Sequence, residues 1–165
     1  MTWFVALVAL SSQGSHDPMV SAMRERLLFA EPVAMSKFNS STPVQDPSRE
    51  RAVLLGAVKQ AVNMGVDADL ALTVFTAQIE ASKAAQRAFL AKWKGHAPFA
   101  NVPNLARDIR PKLDQLTPII LEGLHKDRYR SDQALSDGPP DPIYRDAWKI
   151  ATRPFRTPAS AAHKR

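Results

Sequence analysis

Two cations separated by eleven positions suggest an anion-binding site. Arg26 and Lys37 lie in a run that is compatible with a helix and rich in apolar residues. Eleven positions amount to about three helical turns, so both side chains project from the same face. Arg24 competes with Arg26, although it would point to the other side. Because charges that serve only solubility lie on the outer face, the pattern predicts cations that face the interior and need an anionic partner.

A second polar group opens the next predicted helix. The chain breaks at Pro43, after which Asp46 is expected to be the N-cap and Pro47 the first helical residue. Arg49 and Glu50 follow in the first turn. Each of these two residues alone would be an ordinary member of an ion pair at a helix start. Together with the first two cations, they indicate a charged site built from helices.

Two further helices supply polar candidates. Ser82 and Gln86 are four positions apart and therefore lie on one helix face. Arg110 precedes Pro111 in a later predicted helix, and Arg107, one turn earlier, competes for the same role. Taken singly, each of these residues is more often a plain polar position than part of a site.

The side chains needed for several other chemistries are missing. The sequence has no cysteine, which excludes disulfides, thiolate metal sites and a cysteine nucleophile. It has neither a His-Asp nor a Ser-His arrangement, no set of metal ligands and no glycine-rich phosphate loop. The four histidines fall in separate segments: His16, His96, His125 and His163. The candidates therefore offer charge and hydrogen bonds, without a metal or a nucleophile.

Composition is that of one compact domain with a real core. The chain has 165 residues, of which 45% are hydrophobic and 23% charged, and a formal net charge of +6. This charge favours anionic partners such as metabolites, nucleic acid or a membrane surface without choosing among them. Basic residues interleaved with exposed aromatic ones would indicate nucleic acid, but lysine and arginine are scattered here. We therefore expect neither nucleic acid nor a membrane as partner.

The helices that must hold the candidates follow from apolar spacing and from capping residues. The third has the clearest apolar stripe, which begins at Leu72. No strand alternation of useful length occurs, so we predict an all-α fold, a single-domain bundle of about five to six helices with the active site among them. The predicted helices span 17–41 with a distortion at Pro32, 48–64 ended by Gly65, 68–94 capped by Asp67, 104–125, and 141–153.

The N-terminus contains a possible export signal. Residues 2–10 are apolar and are followed by small and polar residues, as in a secretory signal, but no lysine or arginine precedes them. The alternative is a loosely docked arm. We predict a signal remnant or arm at 1–16, the helical domain at 17–157 and a loose tail at 158–165. The protein is then periplasmic or secreted, or cytoplasmic if the apolar run is not a signal.

Several motifs in order carry a resemblance to a known family. The pattern R-x10-K-x8-D-x2-R-E, followed by S-x3-Q in QIEASKAAQRAF, resembles the all-helical chorismate mutase family. RLLFAEPVAMSKF followed by PVQDPSRE is similar in particular to its exported, single-domain (gamma) branch. The resemblance extends over residues 23–93 and more weakly through LARDIRPKLDQLTP. It implies the intramolecular Claisen rearrangement of chorismate to prephenate, a step towards phenylalanine and tyrosine, with no cofactor or metal. A homodimer is also expected.

The resemblance assigns the catalytic roles. Arg26 and Arg110 hold substrate carboxylates, for which the guanidinium fork is suited. Lys37 contacts a carboxylate and the ether oxygen, and Gln86 donates an amide N–H to the same oxygen. Lys37, Gln86 and Arg26 are therefore the predicted catalytic residues.

The remaining predicted roles concern substrate binding. Ser82 bonds the ring carboxylate, while Glu50 and the backbone at Asp46 receive the substrate hydroxyl. Arg49 completes the charge network around Glu50. Val53, one turn after Arg49, is expected to form an apolar wall.

Two other classes of function stay open. One is a non-catalytic helical module that binds anionic metabolites in the same pocket. The other is a basic helical protein that binds nucleic acid or a membrane surface, with an affinity for polyanions that falls steeply as salt is added. Loss of chorismate absorbance on adding the purified protein separates the enzyme from both.

Overall fold

Helices make up almost all of the regular structure. The computed structural model describes residues 17–126, 135, 136 and 138–156, and no strand occurs among them. The helices are α1 (Pro18–Leu28), α2 (Ala30–Ser40), α3 (Pro47–Asn63), α4 (Ala68–Lys92), α5 (Arg110–Lys126) and α6 (Arg145–Arg156), with a π turn at Leu105–Ile109 and a 3-10 turn at Pro142–Tyr144. The all-α prediction is confirmed. The predicted N-terminal arm, the tail at 158–165 and most of the segment before α6 lie outside the described residues.

The first predicted helix is divided in two at Phe29. Pro32 has no N–H, and its ring clashes with the carbonyl four residues earlier, that of Leu28. The freed Leu28 carbonyl accepts a hydrogen bond from the Tyr144 hydroxyl at 3.4 Å. Burial raises the pKa of Tyr144, which keeps this donor protonated. A helix distortion was predicted at Pro32. The structure instead has a boundary between two helices at Phe29, three residues earlier.

The ends of α3 and α4 match the capping residues in the sequence. The Asp46 carboxylate accepts from the N–H of Arg49 at 3.0 Å, and that of Asp67 accepts from the N–H of Leu70 at 2.7 Å. Gly65 follows α3 with φ of +69°, a conformation that glycine adopts without strain. These local signals fix where each helix begins and ends.

Helix α4 is the centre of the bundle and packs against α2, α3 and α6. Its buried side chains include Ala71, Val74 and Phe75. The Gln78 amide donates to the Ala151 carbonyl of α6 at 3.3 Å. Leu72 is 42% exposed, so its assignment to the apolar stripe was wrong. Lys83, eleven positions further along on nearly the same face, is buried, so Leu72 is exposed because it lies near the start of α4.

The fourth predicted helix begins with a π turn. Asn104 caps it by accepting from the N–H groups of Ala106 and Arg107 at 3.0 and 2.9 Å. The Arg110 N–H then donates to the carbonyl of Leu105, five residues earlier. In an α-helix it would donate to the carbonyl four residues earlier. This wider turn starts α5 at Arg110. Within the described ranges, no helix is long and apolar enough to cross a membrane.

Candidate active site

A pocket of about 150 Å³ lies among the first five helices. Helices α1 to α5 and the π turn all contribute to it. All eight side chains singled out in the sequence line this pocket: Arg26, Lys37, Asp46, Arg49, Glu50, Ser82, Gln86 and Arg110. Its apolar lining is Phe29, Val33, Val44, Val53, Ile79, Leu105, Ile109 and Leu113. One chain therefore supplies polar groups and an apolar wall around a single space.

Arg26 reaches the pocket from the last turn of α1. One guanidinium nitrogen (Nη1) donates to the Leu113 carbonyl of α5 at 3.0 Å, and Cζ lies 5.4 Å from the centre of the Phe75 ring. Burial lowers the pKa of Arg26 to about 10, so the group remains a cation at neutral pH. Arg24 does not line the pocket. The structure thus selects Arg26 of the two.

Lys37 reaches the same pocket from the last turn of α2. Its ammonium group donates to the carbonyl of Val44, in the loop before α3. Burial lowers the pKa of Lys37, and the nearby carboxylates of Asp46 and Glu50 oppose that shift. The two cations predicted on one helix face therefore stand on separate helices and converge on one space.

Glu50 is held by both of its oxygens. Oε1 accepts from the backbone N–H of Asp46 at 3.1 Å, and Oε2 accepts from the Lys83 ammonium at 3.0 Å. Lys83 also pairs with Glu80 at 2.7 Å. Burial alone would raise the pKa of Glu50, but the N–H of Asp46 and the hydrogen bond and charge of Lys83 together lower it. Glu50 is therefore a fixed carboxylate.

The sequence reasoning missed Lys83, a pocket residue on α4. Its position does contain a signal: it lies four residues after Ile79 and three before Gln86, on the same helix face as both. A lysine on a helix face with an apolar residue and a candidate site residue needs an anionic partner.

Arg49 has a different partner from the one predicted. It forms its salt bridge with Asp114 of α5, with 3.7 Å between Nη2 and Oδ1, while the ion partner of Glu50 is Lys83. The Arg49 side chain thereby links α3 to α5 across the pocket.

Ser82 and Gln86 form a hydrogen-bonded pair on α4. The Gln86 side-chain nitrogen donates to the Ser82 hydroxyl oxygen at 3.0 Å. Gln86 is 5% exposed, and its Oε1 has no hydrogen-bond partner among the described residues. The amide NH₂ carries two hydrogens, so one remains available to a ligand. Because Ser82 accepts this bond, its own hydroxyl hydrogen also remains available.

Arg110 is half-buried at the junction between the π turn and α5. Within the described part of the chain it makes neither a salt bridge nor a side-chain hydrogen bond. Arg107, its competitor, has a side chain 80% exposed and pairs with Asp108 at 2.8 Å. The structure therefore places Arg110 in the pocket and Arg107 at the surface.

The pocket has more positive than negative side chains. Its cations are Arg26, Lys37, Arg49, Lys83 and Arg110, and its carboxylates are Asp46 and Glu50. Arg49 and Lys83 form salt bridges with Asp114, Glu50 and Glu80, whereas the other three cations form none within the described residues. An anion with more than one negative charge would pair with those three, and the apolar wall would contact a hydrocarbon ring. In the described ranges, no three His, Asp or Glu side chains converge as metal ligands do.

Comparison with known proteins points to one family. The family described as "Chorismate mutase type II" matches residues 17–87. The "Secreted chorismate mutase" of Mycolicibacterium smegmatis is 30% identical over 178 residues, an alignment that spans 92% of this chain and 97% of that relative.

Solved structures agree as well. The chorismate mutase of Burkholderia thailandensis superposes with a TM-score of 0.77 at 33% identity, covering 84% of this chain and 97% of that one. The secreted chorismate mutase of Yersinia pestis, at 19% identity and a TM-score of 0.70, shares the fold over 83% of this chain and 94% of its own. From this likeness in sequence and structure, the chain belongs to the chorismate mutase family.

Proposed function

We propose that the pocket binds chorismate and catalyses its rearrangement to prephenate. The observation that supports this most is the convergence of all eight predicted side chains on one cation-rich pocket. In this reaction the ether C–O bond breaks while a new C–C bond forms within the same molecule. No proton or electron enters or leaves, so the protein needs neither a base nor a redox group. Catalysis then consists of holding the reactive conformer and stabilising developing charge.

Arg26 and Arg110 are suited to hold the two carboxylates. Each guanidinium presents paired N–H donors that match the two oxygens of a carboxylate. Arg26 is fixed by the Leu113 carbonyl, which is a neutral acceptor, so its positive charge is not cancelled. Holding both carboxylates brings the ends of the flexible substrate together and removes entropy before the reaction step.

Lys37 and Gln86 are suited to the ether oxygen, where negative charge develops as the bond breaks. Lys37 supplies a cation, and the second N–H of Gln86 supplies a donor that does not depend on pH. The bond from Gln86 to Ser82 holds the amide in place. The free hydroxyl hydrogen of Ser82 is then directed to the ring carboxylate.

Glu50 and the Asp46 backbone would receive the substrate hydroxyl. Glu50 is anionic and fixed by two hydrogen bonds, which leaves lone pairs on each oxygen to accept a further hydrogen. Val53 lines the pocket and adds apolar contact for the ring.

The test is turnover by the purified protein. We expect chorismate absorbance to fall and prephenate to accumulate without added metal or cofactor, and chelator to leave the rate unchanged. Chorismate that binds but is not consumed would instead support the non-catalytic anion-binding module. Binding to duplex DNA or to anionic vesicles that weakens steeply with salt, without turnover, would support the polyanion-binding alternative.

Assembly and export are further parts of this proposal. Leu55 and Val62 lie seven positions apart on one face of α3 and are 65% and 61% exposed, which supports a homodimer through that face. Light scattering should give twice the chain mass, and Leu55→Ser/Val62→Ser should halve it. The names of the secreted relatives support export. Fusing residues 1–20 to a reporter that is active only outside the cytoplasm tests it.

A further inference from the structure

We propose that Lys83 is a positioning residue that aims Glu50 at the substrate hydroxyl. This inference rests on the proposed function, because it concerns how the same pocket recognises chorismate. Neither the motif pattern nor the roles assigned from it include Lys83. The geometry points to it because, among the described residues, Lys83 is the one that forms a hydrogen bond or salt bridge with Glu50 from another helix, joining α4 to the first turn of α3.

The two hydrogen bonds of Glu50 restrict its carboxylate in different ways. The N–H of Asp46 binds Oε1 but belongs to the same helix turn, so it leaves the carboxylate plane free to swing about that bond. Lys83 binds Oε2 from the neighbouring helix and removes this freedom. With both oxygens fixed, the remaining lone pairs point in set directions, as recognition of a hydroxyl requires.

Lys83 is poorly suited to bind a substrate carboxylate itself. Its side chain is 8% exposed, and its ammonium lies between Glu50 at 3.0 Å and Glu80 at 2.7 Å. Two carboxylates more than cancel one positive charge. Arg110, by contrast, has no carboxylate partner within the described residues. The positive field of the pocket therefore comes from other cations, and Lys83 acts through Glu50.

Other charged groups near Glu50 cannot replace Lys83. Lys37 acts on Glu50 through its charge and donates its own hydrogen bond to Val44. Arg49 turns to Asp114. The titratable and charged groups that face Glu50 or share its pocket are Arg26 of α1, Lys37 of α2, Asp46 and Arg49 beside it on α3, Glu80 and Lys83 of α4, and Arg110 and Asp114 of α5.

A double-mutant cycle tests the proposal. Lys83→Met should raise KM for chorismate about tenfold and leave kcat within about twofold, because the hydroxyl is not at the reacting bond and is bound equally in ground and transition states. Glu50→Gln should have a similar effect. If Lys83 acts through Glu50, the double variant should be no worse than the worse single one. If the two effects instead add, so that KM of the double variant rises about a hundredfold, the proposal is overturned. A loss of kcat in the single variant Lys83→Met would also overturn it.

A titration that needs no turnover separates this inference from the proposed function. The carboxyl carbon of Glu50, followed by NMR in ¹³C-glutamate-labelled protein, should titrate at higher pH in Lys83→Met than in wild type. KM of that variant should rise as pH falls through the new range, while Lys59→Met, a surface control, behaves as wild type. An unchanged Glu50 titration would overturn the role of Lys83. Absent turnover in wild type would instead refute the proposed function.

A second substitution guards against a folding defect. Lys83→Gln keeps a hydrogen-bond donor and removes the charge, so it should give the same KM-only effect, smaller than that of Lys83→Met. Circular dichroism of each variant confirms its helical content. A Lys83→Gln protein that is folded and has wild-type KM and an unshifted Glu50 titration would show that Lys83 is only structural.

Discussion

Two groups of pocket side chains differ in whether other side chains of the protein pair with their charges. On one side, which we call the paired wall, each charged group contributed by α3 and α4 has an ionic or capping partner. On the other, the open wall, the polar side chains form no salt bridge within the described residues, and their hydrogen bonds go to neutral partners. The paired wall consists of Asp46, Arg49, Glu50 and Lys83, and the open wall of Arg26, Lys37, Gln86 and Arg110.

This difference separates two tasks of one site. The paired wall is organised before substrate arrives, so it can present a hydroxyl acceptor at little further cost. The open wall holds cations and a buried amide oxygen whose interactions are incomplete, which is unfavourable for the empty protein. Such groups gain most when a dianion enters. We therefore expect the strongest effects on catalysis from the open wall and the clearest effects on stability from the paired wall.

The largest effect should come from Arg26 and Lys37, the two cations of the open wall that a backbone carbonyl holds in place. Arg26→Ala and Lys37→Ala should each lower kcat/KM about a thousandfold, since an unpaired carboxylate in a desolvated site costs about 4 kcal/mol. Helicity should remain near normal. Steady-state kinetics measures this, with Arg24→Ala as the matched control on α1. A variant that kept wild-type turnover would remove that residue from the assigned role.

Gln86 should give the next largest effect. Gln86→Glu should be about a hundredfold slower than wild type at neutral pH, because a carboxyl group donates to the ether oxygen only when protonated. Its rate should recover as pH falls, while the wild-type kcat stays nearly flat and Gln86→Ala is slow throughout.

The measurement is kcat from mildly acidic to neutral pH at fixed ionic strength. A steep acid optimum in wild type, or a Gln86→Glu rate that does not change with pH, would contradict the role given to this amide.

Arg110 should show a smaller loss because no side-chain hydrogen bond within the described residues holds it in place, so it is less preorganised than Arg26 and Lys37. We expect Arg110→Ala to raise KM about tenfold or more, with a smaller fall in kcat. Arg107→Ala is the matched control, three residues away on the surface, and should leave both constants unchanged. Equal losses in the two variants would show that Arg110 has no special role in binding compared with Arg107.

The smallest effect should be a change in stability on the paired wall. The pKa of Glu50 is lowered in the folded protein, so its charge contributes stability above the unfolded value of 4.5, and this contribution is lost as pH falls through the lower folded value. Glu50→Gln should therefore be about 1 kcal/mol less stable at neutral pH. Urea unfolding at several pH values should show the gap closing in acid. A gap that widens in acid would contradict the assignment.

The sequence predicted the features that depend on neighbouring residues. Helix ends at Asp46, Gly65 and Asp67 follow from capping chemistry within four positions, and they were found where expected. The convergence of the polar candidates on one site was expected from the family resemblance, which rests on several motifs considered together.

Features that depend on distant packing were not predictable. The boundary at Phe29 depends on Pro32 but is completed by a hydrogen bond from Tyr144, far along the chain. Leu72 was misassigned because helical spacing does not show how far along α4 the neighbouring helices extend. The pairing of Lys83 with Glu50 joins residues 33 positions apart, and no local pattern contains it.

Contacts from the last described part of the chain complete the bundle. The Gln78 amide reaches the Ala151 carbonyl across 73 positions, and Tyr144 reaches Leu28 across 116. Such contacts form only after nearly the whole chain has been synthesised, because both partners must be present. Until then α4 lacks the cover of α6, so a chain cut short before α6 would leave part of the buried face of α4 open to solvent.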